Sequence, residues 1–152
     1  MNRNLVVMSP VFNDWESSYM LFRRLNEVLS LRQVPAALII IDDGSDQTFD
    51  PDQFDLSGGS GIDSIVVLRL NRNLGHQTAL AVGLAYLNDQ NVPGSVLVMD
   101  GDGEDDPDDV EMLLRCAEKN PGAVGFAERA QRSEPLIFRI RVSLKHFSLN
   151  QH

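Results

Sequence analysis

The sequence predicts an α/β fold, a mostly parallel sheet with helices on both faces. Three observations predict it. Short apolar runs rich in Val, Ile and Leu alternate with segments of helical period. The alternation repeats as strand, helix, strand, helix, which builds parallel sheets through right-handed crossovers. A length of 152 residues gives room for a single sizeable core, so one domain spanning 1–152 is expected.

The elements follow in order. Asn4–Met8 reads as the first buried strand. Ser18, Leu21, Phe22, Leu25, Val28 and Leu29 then recur at helical spacing. Ala37–Ile41 is the second strand, and the glycine-rich, acidic stretch Asp50–Gly61 reads as a surface loop. Ile65–Leu70 is the third strand, followed by a helical stripe of Leu80, Gly83, Leu84 and Leu87. Val96–Met99 is the fourth; behind it Val110, Leu113, Leu114 and Ala117 form a helix, with Asp106 as its N-cap and Pro107 at its first position. A weaker run, Ala123–Ala127, is a fifth strand. In such sheets ligands bind beyond the carboxyl ends of the strands. The stretches to inspect are therefore Ser9–Asp14, Asp42–Asp46, Asn71–Gln77 and Asp100–Asp106.

Composition removes several function classes. A net charge of −9 argues against nucleic acid as a partner, because phosphate backbones select basic faces. No apolar stretch approaches the ~20 residues of a membrane span, and the N-terminus has no signal-peptide pattern. The single cysteine, Cys116, forms no internal disulfide and falls within a helical pattern that packs it. The charge is uneven. Eight acids lie between Asp100 and Glu111, whereas Arg129, Arg132, Arg139, Arg141 and Lys145 stand against Glu134 alone. The first cluster suits a cation and the second suits phosphates.

Asp100-Gly101-Asp102 closes the fourth strand, and its glycine permits a tight turn that aims both carboxylates at one pocket. Hard oxygen donors at that spacing suit Mg²⁺ or Mn²⁺ completed by ligand phosphates. Taken alone, the triplet is more often a solvated acidic loop before a helix. A calcium-binding EF-hand loop from Asp100 to Glu111 fails, since Asp105 stands where glycine is needed and Pro107 interrupts it. Asp42-Asp43-Gly44-Ser45 ends the second strand. Paired carboxylates there need donors or a cation, or else they form a plain turn. A receiver-domain reading fails because the third strand ends in Asn71. Asn71–Ala79 opens a helix whose first backbone amides suit a phosphate. It is not the Gly-x-x-x-x-Gly-Lys-Ser/Thr loop of NTPases, and no Gly-x-Gly-x-x-Gly follows a strand. His76 has no second His or Cys at ligand spacing, which favours a capping or surface role.

These motifs, in this order, resemble the inverting family 2 glycosyltransferases of the GT-A fold, especially the polyprenyl-phosphate sugar synthases. The resemblance runs from Val6 to about Phe147. Ser9-Pro10-Val11-Phe12-Asn13-Asp14 is similar to the family's opening motif, which borders the nucleoside. Asp42-Asp43-Gly44-Ser45 matches its Asp-Asp-Gly-Ser, and Asn73-Leu74-Gly75 resembles its Asn-x-Gly helix opening. Asp100-Gly101-Asp102-Gly103-Glu104-Asp105 stands where the family has Asp-Ala-Asp-Leu-Gln-Asp, with Glu104 replacing Gln and two glycines replacing Ala and Leu. Gly125 to Arg132 resembles a Gly-x-Arg-x-x-Arg segment facing phosphates, with longer spacing between Gly125 and Arg129.

The resemblance implies a Rossmann-like GT-A nucleotide-sugar-binding domain. It would transfer a hexose from a UDP- or GDP-sugar to a polyprenyl phosphate, with inversion and a Mg²⁺ or Mn²⁺ cofactor. Pro10, Phe12, Asp14, Asp42, Asp43, Gly75 and Asp100 would hold the nucleotide sugar. Asp102 and Glu104 would hold the metal, and Arg129 and Arg132 would join Asp102 in catalysis by stabilising phosphate charge. The implied location is the cytoplasmic face of the membrane, with peripheral contact by the full-length protein. Family members continue past this point with acceptor-side and interfacial segments. The chain is therefore expected to lack its acceptor side and, in isolation, to bind donor without turning it over. Phe138–Phe147, with interleaved Arg and Lys, reads as the start of a basic interfacial segment. Two other classes compete: a non-catalytic nucleotide- or metal-binding remnant, and a nucleotidyltransferase. The latter should carry a glycine-rich basic loop after its first strand, and Val11–Glu16 is neither.

Overall fold

The structure, a computed structural model, describes residues 5–122, 124–126 and 141–143. It divides into two compact units, Met1–Asp108 and Asp109–His152. In the first, β1 (Leu5–Val11), α1 (Trp15–Arg32), β2 (Ala36–Asp42), β3 (Ile62–Arg69), α2 (His76–Asp89) and β4 (Ser95–Val98) follow in order. In the second come α3 (Val110–Lys119), β5 (Val124–Phe126) and β6 (Arg141–Ser143), the two strands pairing antiparallel.

The four strands of the first unit form one sheet in the order β3-β2-β1-β4, every pair parallel. From β1 the chain builds outward to β2 and β3, then returns to the other side of β1 for β4. Connections leaving β1 and β4 diverge at such a reversal and open a crevice at the carboxyl edge.

Register fixes the faces. Val6 lies opposite Ala37 and Val96, and Met8 opposite Ile39 and Val98. Parallel neighbours at one level point the same way. Val6, Met8, Ile39 and Ile41 form a buried core with Ala79 and Leu87 of α2. Gly83 lets α2 approach: a Cβ there would stand 2.5 Å from Met8 Sδ and 2.9 Å from Ile41 Cδ1. The opposite parity, Val7, Leu38 and Ile40, is equally buried, as is the α1 stripe Leu21, Phe22, Leu25, Val28 and Leu29. Helices on both faces of a parallel sheet are thus realised. Helix α1 stops at Gln33, whose φ of 55° is left-handed. The Val34 amide reaches back to the Leu29 carbonyl at 3.0 Å, and Pro35 cannot continue the helix.

Two expectations change in detail. Pro107 opens a 3₁₀ turn, Pro107–Asp109, and not α3, which begins at Val110. The Asp106 carboxylate caps that turn through the Asp108 amide at 2.9 Å. A tighter turn commonly opens a helix, and proline's fixed φ accommodates it. The Asp50–Gly61 stretch is also more than a surface loop. Phe54 packs against Tyr19 and Phe22 of α1, and Phe49 against Trp15 and Tyr19, with ring centroids 5.8–6.3 Å apart. Asn26, buried on α1, donates to the Leu56 and Gly59 carbonyls and accepts from the Ile62 amide at 2.8 Å.

Candidate functional site

The four strand-end stretches flagged by the sequence meet at one edge of the first unit, bound together by hydrogen bonds. The β1 and β2 ends are joined by Asn13, which takes a left-handed φ of 56°. Its amide N–H donates to Ser45 Oγ at 2.9 Å, and its side-chain Oδ1 accepts from the Asp46 amide at 2.8 Å. Asparagine tolerates that conformation because its short polar side chain bonds locally. The turn leaves Phe12 46% exposed beside the fully packed Pro10. Asp14 is exposed, and its backbone carbonyl accepts from the Ser18 amide at 3.1 Å and Ser18 Oγ at 2.7 Å.

Asp42 and Asp43 are both buried; both Asp43 oxygens accept hydrogen bonds, whereas Asp42 Oδ2 has an ion-pair neighbour but no hydrogen-bond partner among the described residues. Asp42 Oδ1 accepts from the Ser45 amide at 2.9 Å, and Oδ2 lies 3.6 Å from Arg69 Nε. Arg69 also donates to the Ser45 carbonyl at 3.1 Å, so the guanidinium locks the turn to β3. Asp43 Oδ1 accepts from the Leu74 amide at 2.8 Å, and Oδ2 from the Gly75 amide at 2.9 Å. Within the Asn71–Ala79 stretch, the Leu74 and Gly75 amides just before α2 are thus bound by a carboxylate that the end of β2 delivers to the helix N-terminus, where negative charge is favoured. Gly44 makes the close approach possible. It takes φ +77°, and a Cβ there would stand 2.4 Å from the Arg72 carbonyl carbon.

At the end of β4, Asp105 Oδ2 accepts the Asp100 amide at 2.8 Å and folds the acidic loop back on the strand. The Gly101 carbonyl accepts Ser18 Oγ at 2.9 Å, tying that loop to α1. Asp100 Oδ1 lies 3.5 Å from Nε2 of His76, the first residue of α2. Asp102 and Glu104 are exposed, and Asp102 Oδ1 accepts the Glu104 amide at 2.9 Å. Among the described residues no three His, Cys, Asp or Glu side chains converge into a metal cage. An exposed carboxylate pair of this kind fits a cation that takes most of its shell from ligand oxygens and water.

The structure thus gathers Pro10, Phe12, Asp14, Asp42, Asp43, Gly75, Asp100, Asp102 and Glu104 at one edge. Arg129 and Arg132 lie outside the described residues. Of the basic segment Phe138–Phe147, only Arg141–Ser143 is described, as strand β6. Sequence reasoning gave no bonding role to Asn13, Ser18, Asp46, Asp105 or Arg69. Each bonds across tens of residues or to backbone, which no local pattern reveals. The proximity of His76 to Asp100 was equally hidden.

Comparison with known proteins identifies the family. Residues 6–151 match the model described as glycosyl transferase family 2. The chain belongs to glycosyl transferase family 2. Among its family 2 relatives, the undecaprenyl-phosphate 4-deoxy-4-formamido-L-arabinose transferase of Yersinia enterocolitica is 27% identical over 136 residues, 89% of this chain and 39% of that protein. The protein of the same name from Enterobacter sp. (strain 638) is 29% identical over 138 residues, 90% of this chain and 40% of the relative. The chain therefore spans about two fifths of the length of the curated relatives it matches. In fold it is similar to S. aureus TarS residues 1–349, with a TM-score of 0.53 at 16% identity, covering 76% of this chain and 32% of that solved chain. The family 2 match takes in all four strand-end loops and the segment holding Arg129 and Arg132.

Proposed function

We propose that this family 2 chain carries the donor side of an inverting, metal-dependent glycosyltransferase that moves a hexose from a UDP- or GDP-sugar to a polyprenyl phosphate. The observation that carries the proposal is the convergence of four strand-end loops at the reversal of strand order, where such sheets bind ligands. The polyprenyl acceptor is supported by the relatives, which are named as undecaprenyl-phosphate transferases.

In this reading exposed Phe12, backed by Pro10, borders the base, with Asp14 at its rim. Asp42 and Asp43 shape that slot from below, where they hold the Ser45 turn and the Leu74–Gly75 loop. Asp100 accepts a ribose hydroxyl. Asp102, with Glu104, would hold Mg²⁺ or Mn²⁺, which supplies positive charge against the leaving diphosphate. Arg129 and Arg132 pair with phosphate oxygens, the geometry for which guanidinium is suited. A phosphate acceptor is already ionised at neutral pH, so attack on the sugar carbon needs no strong general base. The proposed location is the cytoplasmic face of the membrane. No helix among the described residues is long and apolar enough to cross it.

A transfer assay tests this reading, with UDP- and GDP-hexoses radiolabelled in the sugar, undecaprenyl phosphate in detergent, Mn²⁺ and the protein. Label reaching the lipid fraction only when Mn²⁺ is present is the expected result. With the label in the hexose, labelled free hexose or hexose 1-phosphate without any in lipid would overturn it in favour of a nucleotide-sugar hydrolase or nucleotidyltransferase.

A further inference from the structure

The scheme above gives no task to His76, although the protein anchors this residue with care. Gly75, just before it, takes φ +87°. The Gly75 amide is shared between Asp43 Oδ2 and Asn73 Oδ1, both at 2.9 Å, and Asp43 Oδ1 holds the Leu74 amide at 2.8 Å. Behind it, α2 sits against β1 and β2 through the close contact at Gly83. The imidazole is thus carried on a helix start fixed by three acceptor contacts. Across from it the Asp100 backbone is fixed by Asp105 at 2.8 Å. Nε2 of His76 lies 3.5 Å from Asp100 Oδ1, and both side chains are 49% exposed. An incidental surface pair gains little and needs no such support. Here two independently anchored backbones present the pair at the carboxyl edge, half open to a ligand.

We propose that His76 is a positioning residue for donor binding. With its proton on Nε2, the imidazole stands 3.5 Å from Asp100 Oδ1, near enough to close into a hydrogen bond on donor binding and to turn the other carboxylate oxygen toward a ribose hydroxyl of the nucleotide sugar. A carboxylate accepts only, so one oxygen can take the imidazole while the second takes the sugar. Fixing the rotamer before the ligand arrives removes an ordering cost from binding. This inference rests on the donor-site reading, and its test separates the two.

The test is calorimetric titration of the chain, with Mn²⁺, using UDP and GDP and their 2′,3′-dideoxy counterparts. His76→Ala should weaken the ribonucleotide by about five- to tenfold, the scale of one hydrogen bond. It should change the dideoxy form less than about twofold, since that form has no hydroxyl for Asp100 to accept. His76→Gln, which keeps an N–H donor, should recover most of the loss. Thermal unfolding of both variants should match the wild type. Equal weakening of ribo and dideoxy forms, or of neither, overturns the positioning role and leaves the donor site standing. If the wild type binds neither UDP nor GDP, the donor-site reading itself falls, and this inference with it.

Discussion

At the residue scale, the carboxylates at the site differ by what they already hold. Asp43 is buried and accepts two backbone amides just before α2, so its removal takes the carboxylate partner from Leu74 and leaves Gly75 only the Asn73 side chain. Asp43→Ala should lower unfolding free energy by about 1–3 kcal/mol and weaken nucleoside monophosphate and diphosphate alike. Urea denaturation with parallel titrations checks this, and unchanged stability and affinity would reduce the Asp42–Asp43 pair to a decorative turn. Asp102, by contrast, is exposed and engages only a local amide in the contacts described above. Asp102→Asn should leave stability nearly intact while diphosphate binding in Mn²⁺ falls at least about tenfold, ~1.4 kcal/mol. Identical wild-type affinity in EDTA and Mn²⁺ would exclude the cation from this site. The Asp-Asp-Gly-Ser and Asp-Gly-Asp motifs were legible in the sequence. Their division of labour was not, because the same residue type serves as a cap when buried against amides and as a ligand when left in solvent.

At the element scale, the turn after β2 and the loop after β3 behave as one piece. Gly44 has φ +77°, and its missing Cβ leaves space occupied by the Arg72 carbonyl carbon and Asn73 nitrogen. Gly44→Ala combines a left-handed strain of roughly 1–2 kcal/mol with a clash against backbone, which cannot rotate away. The expected loss is about 3 kcal/mol or more, read from the urea midpoint. A loss below about 1 kcal/mol would mean that the loop yields easily and that α2 is not held by this contact. Periodicity located the four strands and α2, but it read burial wrongly at β4, where Val96 and Val98 are exposed, and at Leu84 of the α2 stripe, because an apolar residue at an edge or beside the stripe carries the same local signal as a core one. It missed the packing of the Phe49–Phe54 stretch on α1. Aromatic residues in a polar, glycine-rich segment show no period, and their partners Trp15, Tyr19 and Phe22 lie about thirty residues away.

At the scale of the whole molecule, a ligand that binds only the folded state must stabilise it. Nucleotide sugar at about a hundredfold its Kd, with Mn²⁺, should add ~2.7 kcal/mol. For a chain of this size that raises Tm by roughly 5–10 °C. Calorimetry would register it. A flat Tm across UDP-, GDP-, CDP- and dTDP-sugars would contradict a donor site, since no affinity consistent with the proposal leaves stability unmoved.

The sequence by itself determined the α/β class, the parallel strands and the four places where chemistry-bearing residues cluster. Those features are set by local burial and by the order of short motifs, which a linear string preserves. Only the tertiary structure decided the strand order β3-β2-β1-β4, the capture of the Leu74 and Gly75 amides by Asp43, and the meeting of His76 with Asp100. Each joins segments 24 or more residues apart. Hydrogen bonds and carboxylate partners depend on distances of a few ångströms, and those are fixed by how strands stack side by side, not by spacing along the chain.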